Sequence, residues 1–73
     1  MIPVRYAIVI ERANDNFSAY VPDLPGCVAT GNTLKETEQA IREAIEFHIE
    51  GLRDDGAPVP PPTSRVDYVD VAA

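Results

Sequence analysis

One cysteine, one histidine and no tryptophan remove whole classes of chemistry from this chain. A single cysteine, Cys27, cannot close an internal disulfide, and one cysteine with one histidine cannot supply the four ligands of a standard structural zinc site. With no histidine or cation near it in sequence, Cys27 reads as a small buried hydrophobe rather than a reactive thiol. Basic residues are also scarce: six Lys and Arg stand against twelve Asp and Glu, for a formal net charge of −6. Autonomous nucleic-acid binding draws on clustered Lys and Arg, so this sign argues against it and favours a basic partner. Long apolar runs are missing too. None approaches the roughly 20 residues that a membrane-spanning helix needs, and the expectation is a soluble, cytoplasmic protein.

What is present is enough for a small folded domain. The hydrophobic fraction of 45% is ordinary for a globular protein and too high for disorder. The 73 residues make one domain, without internal repeats. Chains near 60 residues bury only about 60% of the surface their unfolded form exposes, so self-association or another partner is expected to contribute to stability.

Periodicity predicts an α+β domain: a three-stranded antiparallel sheet packed on one long helix, with a C-terminal edge strand. Alternating apolar positions place the first strand at about residues 3–12 and the second at 17–21. Ala13-Asn14-Asp15-Asn16 supplies the turn between them. Pro22 and Pro25 cannot donate backbone hydrogen bonds, so the second strand leaves the sheet at Val21, and Gly26 permits a tight re-entry into a third strand at 27–30. Thr33 and Glu36 have the spacing of a capping box, which starts a helix over 34–54 that Gly56 and Pro58 end. Leu34, Thr37, Ile41, Ala44, Ile45, His48, Ile49 and Leu52 form its apolar stripe. Phe47 lies beside that stripe, where it widens the core or else is left for a second subunit; the core is the preferred reading. Gly51 in the last turns points to a close approach by another backbone or to a frayed end. Residues 57–62 make a proline-rich spacer, and 65–71 a last strand whose alternation slips.

No combination of residues makes an active site. A serine or cysteine nucleophile needs a base within reach, and the sole histidine, His48, lies on the apolar stripe, where it reads as a core-edge residue. The glycines at 26, 31, 51 and 56 do not cluster into a phosphate loop. Metal-dependent nucleic-acid hydrolysis would need converging carboxylates, and the middle of the first strand offers Ile8 and Val9 instead. Neither catalytic residues nor cofactor or metal ligands are assigned.

The acidic residues are more informative as a surface. Glu36, Glu43, Glu46, Glu50 and Asp54 fall on the helix side opposite the stripe, with like charges three or four residues apart. Each such pair destabilises a helix by about 0.2–0.5 kcal/mol, so helix stability alone does not account for the ridge. The plain reading is a solvated face; the sharper one is a landing site for a basic protein.

The segment Tyr20-Val21-Pro22-Asp23-Leu24-Pro25-Gly26-Cys27, continued through Gly31 and Thr33, closely resembles the HicB-like antitoxin family. Ala40, Ala44-Ile45, His48 and the run from Gly56 to Pro62 extend the likeness over nearly the whole chain. The resemblance implies a partial ribonuclease H-like fold without a working nuclease site. It further implies binding and inhibition of a small basic HicA-type toxin, a messenger RNA ribonuclease. Two departures stand out. Many members continue into a helix-turn-helix or ribbon-helix-helix domain, whereas this chain stops at Ala73, so direct DNA binding by this chain alone is not expected. The family often has glycine in the first hairpin, where this chain has Asn14-Asp15-Asn16.

Candidate partner contacts are Asp23 and Leu24 of the motif together with Glu43, Glu46 and Glu50 of the ridge. Candidate contacts in a homodimer or larger oligomer are Ala7, Val9, Phe47, Tyr68 and Val69. The alternative function is an orphan domain of the same fold that binds another protein or a small ligand, and an RNA-processing enzyme ranks last.

Overall fold

The computed structural model describes residues 4–73. Three antiparallel strands, β1 (Val9–Arg12), β2 (Phe17–Tyr20) and β3 (Val28–Gly31), form a sheet in the order β1-β2-β3, and one helix, α1 (Leu34–Asp54), follows them. The α+β architecture is the expected one. β1 and β2 pair from Val9 opposite Tyr20 to Arg12 opposite Phe17, and β2 and β3 from Phe17 opposite Gly31 to Tyr20 opposite Val28. The hairpin turn is closed by Ala13 N donating to the Asn16 carbonyl at 2.8 Å.

The first strand is shorter than the alternation suggests. It was expected over about 3–12 and begins at Val9; Pro3 lies outside the described residues. A strand needs a neighbour, and β2 ends at Tyr20, so residues 4–8 run past the end of the ladder with nothing to pair with. The cause is the loop that follows β2. Val21 N donates to the Cys27 carbonyl at 3.2 Å, Leu24 N to the Val21 carbonyl at 3.1 Å and Cys27 N to the Leu24 carbonyl at 3.1 Å. Gly26, at φ +83°, occupies the left-handed region that glycine enters without a Cβ clash. The loop thereby folds Leu24 inward, where it is 0% exposed among Ala19, Val21, Cys27 and Ile41. Fully burying a leucine side chain stabilises by roughly 1.5–3 kcal/mol.

The helix start is the predicted capping box. Thr33 Oγ1 accepts from Glu36 N at 3.1 Å, while Glu36 Oε2 accepts from Thr33 N at 3.2 Å and from Asn32 N at 3.0 Å. At the other end Gly56 N donates to the Arg53 carbonyl and Ala57 N to the Leu52 carbonyl, with Gly56 at φ +69°. That pair of bonds is a Schellman closure, which satisfies carbonyls the helix would otherwise leave open. One face of α1 packs on the sheet through Thr37, Ile41, Ala44 and Ile45.

Three expectations are corrected. Phe47 does not widen the core but is 79% exposed, because a sheet of three short strands is too narrow to cover that flank of the helix. Leu34, assigned to the stripe, is exposed in the first turn. Residues 65–71 form no strand, since within the chain they meet no strand edge to pair with.

Two glycines predict opposite outcomes. A Cβ on Gly51 would meet nothing within 4 Å, so no backbone approaches it and Gly51→Ala is expected to stabilise by about 1 kcal/mol, raising the melting temperature by roughly 4–8 °C. A Cβ on Gly31 would lie 2.6 Å from Thr37 Oγ1 and 2.7 Å from Thr37 N, so Gly31→Ala is expected to destabilise by about 1–3 kcal/mol. Thermal unfolding followed by circular dichroism checks both.

Candidate functional site

The residues that fail to form a strand border a groove on the surface. Between residues 4–8 and α1 lies an open groove of about 1040 Å³, with Tyr6, Ile8, Ile41, Ile45 and Ile49 among the apolar residues lining it. It exists because the sheet ends at β1 while the apolar stripe of the helix continues beyond it. Glu46, Glu50 and Asp54 reach the groove from the helix, accompanied by Arg42 and Arg53.

Glu43, Glu46 and Glu50 are all exposed along α1, so the structure brings these three predicted partner contacts together on one side of the helix. Gln39 Nε2 donates to Glu43 Oε1 at 3.3 Å. Among the described residues the one ion pair joins Arg65 Nε to Asp67 Oδ2 at 3.0 Å, so Glu43, Glu46 and Glu50 take part in none there. Glu36, another of the five members of the expected ridge, is engaged in the cap.

Asp23 and Leu24 do not join that surface. Leu24 is core, so its expected exposure to a partner is corrected: the loop hydrogen bonds turn it inward. Asp23 instead holds the chain's own C-terminal segment. Its Oδ2 accepts from Thr63 N and Ser64 N, each at 2.9 Å, and its Oδ1 accepts from Thr63 Oγ1 at 3.1 Å and Ser64 Oγ at 2.7 Å. The Ser64 backbone and hydroxyl bonds are the main cause of an Asp23 pKa below its ordinary value; desolvation opposes them, and the Thr63 bonds add to the lowering. Tyr6 Oη donates to the Pro60 carbonyl at 2.6 Å and ties down the spacer. Sequence reasoning missed both anchors. A signal was present: Pro60-Pro61-Pro62 have no N–H to offer, so Thr63 and Ser64 supply the first donors beyond them.

The oligomer candidates divide. Ala7 and Val9 are half-buried, whereas Phe47, Tyr68 and Val69 are exposed. Cys27 is buried, and burial pushes its thiol pKa up, away from the reactive thiolate. His48 is half-buried on α1. Among the described residues, no three His, Cys, Asp or Glu side chains converge as metal ligands, and no helix is long and apolar enough to cross a membrane.

The anchor at Asp23 predicts an acid-sensitive tail. With its pKa depressed, the carboxylate contributes stability that is present above the ordinary value of 3.8 and is lost as pH falls through the lowered one. Protection of the Thr63 and Ser64 amides, taken as the exchange rate relative to that of an unstructured peptide at the same pH, is expected to fall over that acid range in the native chain and to be lost at neutral pH in Asp23→Ala.

Comparison with known proteins places this geometry in a family. The family described as HicB_like antitoxin of bacterial toxin-antitoxin system matches residues 6–72. An uncharacterised 14.9 kDa protein from the rep-hol intergenic region of Haemophilus phage HP1 is 42% identical over 64 residues. That match covers 88% of this chain and 48% of the phage protein, so the chain spans about half the length of this relative. A UPF0150 protein of Synechocystis is 41% identical over 56 residues, covering 75% of this chain and 71% of its own. Among solved structures, a chain of a HicA3 and HicB3 toxin-antitoxin complex matches at a TM-score of 0.71 and 38% identity, over 81% of this chain and 70% of that one. With nearly its whole length matched, from Tyr6 through the motif to the tail, the chain belongs to the HicB-like antitoxins of bacterial toxin–antitoxin systems.

Proposed function

We propose that this chain is a non-catalytic protein-binding module that neutralises a small basic HicA-type messenger RNA ribonuclease in the cytoplasm, receiving it on the exposed side of α1. The observation that carries this reading is the likeness to a chain of a HicA3 and HicB3 toxin-antitoxin complex at 38% identity. The chemistry of the helix supports it. Glu43, Glu46 and Glu50 recur at helical spacing and are exposed, and the chain as a whole carries a net charge of −6. Such a surface attracts a basic protein during diffusional approach and repels the RNA that the toxin would cleave. The antitoxin needs no chemistry of its own in this scheme, because occupying the toxin is sufficient.

The test begins with co-expression alongside any small basic protein that the adjacent gene encodes. A stable complex and relief of toxicity are expected, and failure of both removes the reading. The surface is tested separately with Glu43→Gln, Glu46→Gln and Glu50→Gln combined. At low salt the association rate with the toxin is expected to fall by about tenfold or more, and to approach the native rate as salt rises. Equal rates for the native and substituted chains at low salt would assign toxin docking to another face.

A further inference from the structure

Three features that cost the isolated chain stability coincide on one stretch of α1. Phe47 is 79% exposed, so its ring forfeits the burial that an aromatic side chain ordinarily gains. Gly51 weakens the helix interior, yet a Cβ there would meet nothing within 4 Å. No internal contact therefore calls for a glycine. Glu43, Glu46, Glu50 and Asp54, all exposed, repel one another at three- and four-residue spacing. Helical geometry brings these residues together. Glu43 and Gly51 stand four residues before and after Phe47, and Glu50 three after, so each borders it directly. A helical side chain leans toward the N-terminus, over the turn before its own Cα. A side chain at position 51 would thus lie against Phe47, whereas glycine leaves that end of the ring bare. The result is an exposed aromatic ring with carboxylates along one side and an open notch at its C-terminal end.

We infer that Phe47 is the apolar anchor of the toxin contact, and that a lysine or arginine of the toxin occupies the notch, with its stem over Gly51 and its cation against the ring and the carboxylates of Glu43 and Glu50. This rests on the toxin docking proposed above and names the side chain that holds the partner once charge has drawn it in. The chemistry selects a cationic occupant. Cations are attracted to the face of an aromatic ring, the neighbouring carboxylates reinforce that attraction, and the hydrocarbon stem of Lys or Arg covers apolar surface on the way. A second copy of this chain, bringing a further net charge of −6, suits such a surface less well than a basic protein does. The layout is also that of a binding hot spot, in which a central anchor is surrounded by contacts that exclude water. The two kinds of residue divide the work. Exposed charges act mainly on the rate of approach, and a buried anchor acts on the rate of dissociation.

Binding of the full chain to any small basic protein that the adjacent gene encodes, followed by surface plasmon resonance at low and high salt, tests the assignment. Phe47→Ala is expected to weaken binding on the order of 30-fold, chiefly through faster dissociation. The loss should persist at high salt, where the ridge charges are screened. Gly51→Gln fills the notch with a residue that favours helix and is expected to weaken binding on the order of tenfold while raising the melting temperature. Both variants should keep the helical circular dichroism and the solution mass of the free chain, because neither residue lies in the core. Binding of Phe47→Ala within about twofold of native would overturn the inference and leave toxin docking in place, as would a loss that vanishes at high salt. A changed mass of the free Phe47→Ala chain would assign the residue to self-contact and overturn it too. If the native chain binds no such protein, the docking itself fails and the anchor falls with it.

Discussion

Burial of Leu24 is the constraint on which the rest of this domain turns. The loop from Val21 to Cys27 places that side chain, wholly buried, where the sheet, the loop and Ile41 of α1 meet. The loop can do so because Pro22 and Pro25 take it out of the ladder, while the hydrogen bonds among Val21, Leu24 and Cys27 satisfy the backbone it carries inward. Ending β2 at Tyr20 has two results. It leaves residues 4–8 without a strand partner, and it presents the Asp23 carboxylate beside the loop, where Thr63 and Ser64 find it. The same seven residues therefore set the core, the width of the sheet and the path of the C-terminal segment.

A sheet this narrow cannot cover a helix of 21 residues. On one flank Phe47 remains in solvent, and on the other the groove beside Ile45 and Ile49 stays open. Small domains bury a smaller share of their surface than large ones, and here the shortage falls at identifiable places.

Much of the fold was legible in local chemistry. The capping box of Thr33 and Glu36 and the glycine at 56 mark α1 at both ends, and the helix runs over the predicted residues. The hairpin follows from alternation on both sides of a turn rich in asparagine and aspartate. These features depend on neighbours within a few residues in sequence. What was not legible depended on residues far apart. The same alternation that correctly identifies β1 overextends it, because a pattern shows which residues suit a strand and not whether a partner lies beside them. Residues 65–71 fail as a strand within the chain for that reason. Asp23 reads equally well as a turn residue or a binding residue until Thr63, forty positions away, is seen to satisfy it.

The sequence by itself determined the element types, the helix limits, the acidic balance and the family marker from Tyr20 to Thr33. Each rests on side-chain period, capping or composition, which are properties of short segments. Only the tertiary structure decided that Leu24 is core, that Phe47 is not, that Asp23 binds its own chain, and that the sheet stops at three strands. Those outcomes depend on which surfaces meet once the loop has closed, and local propensity carries no information about that.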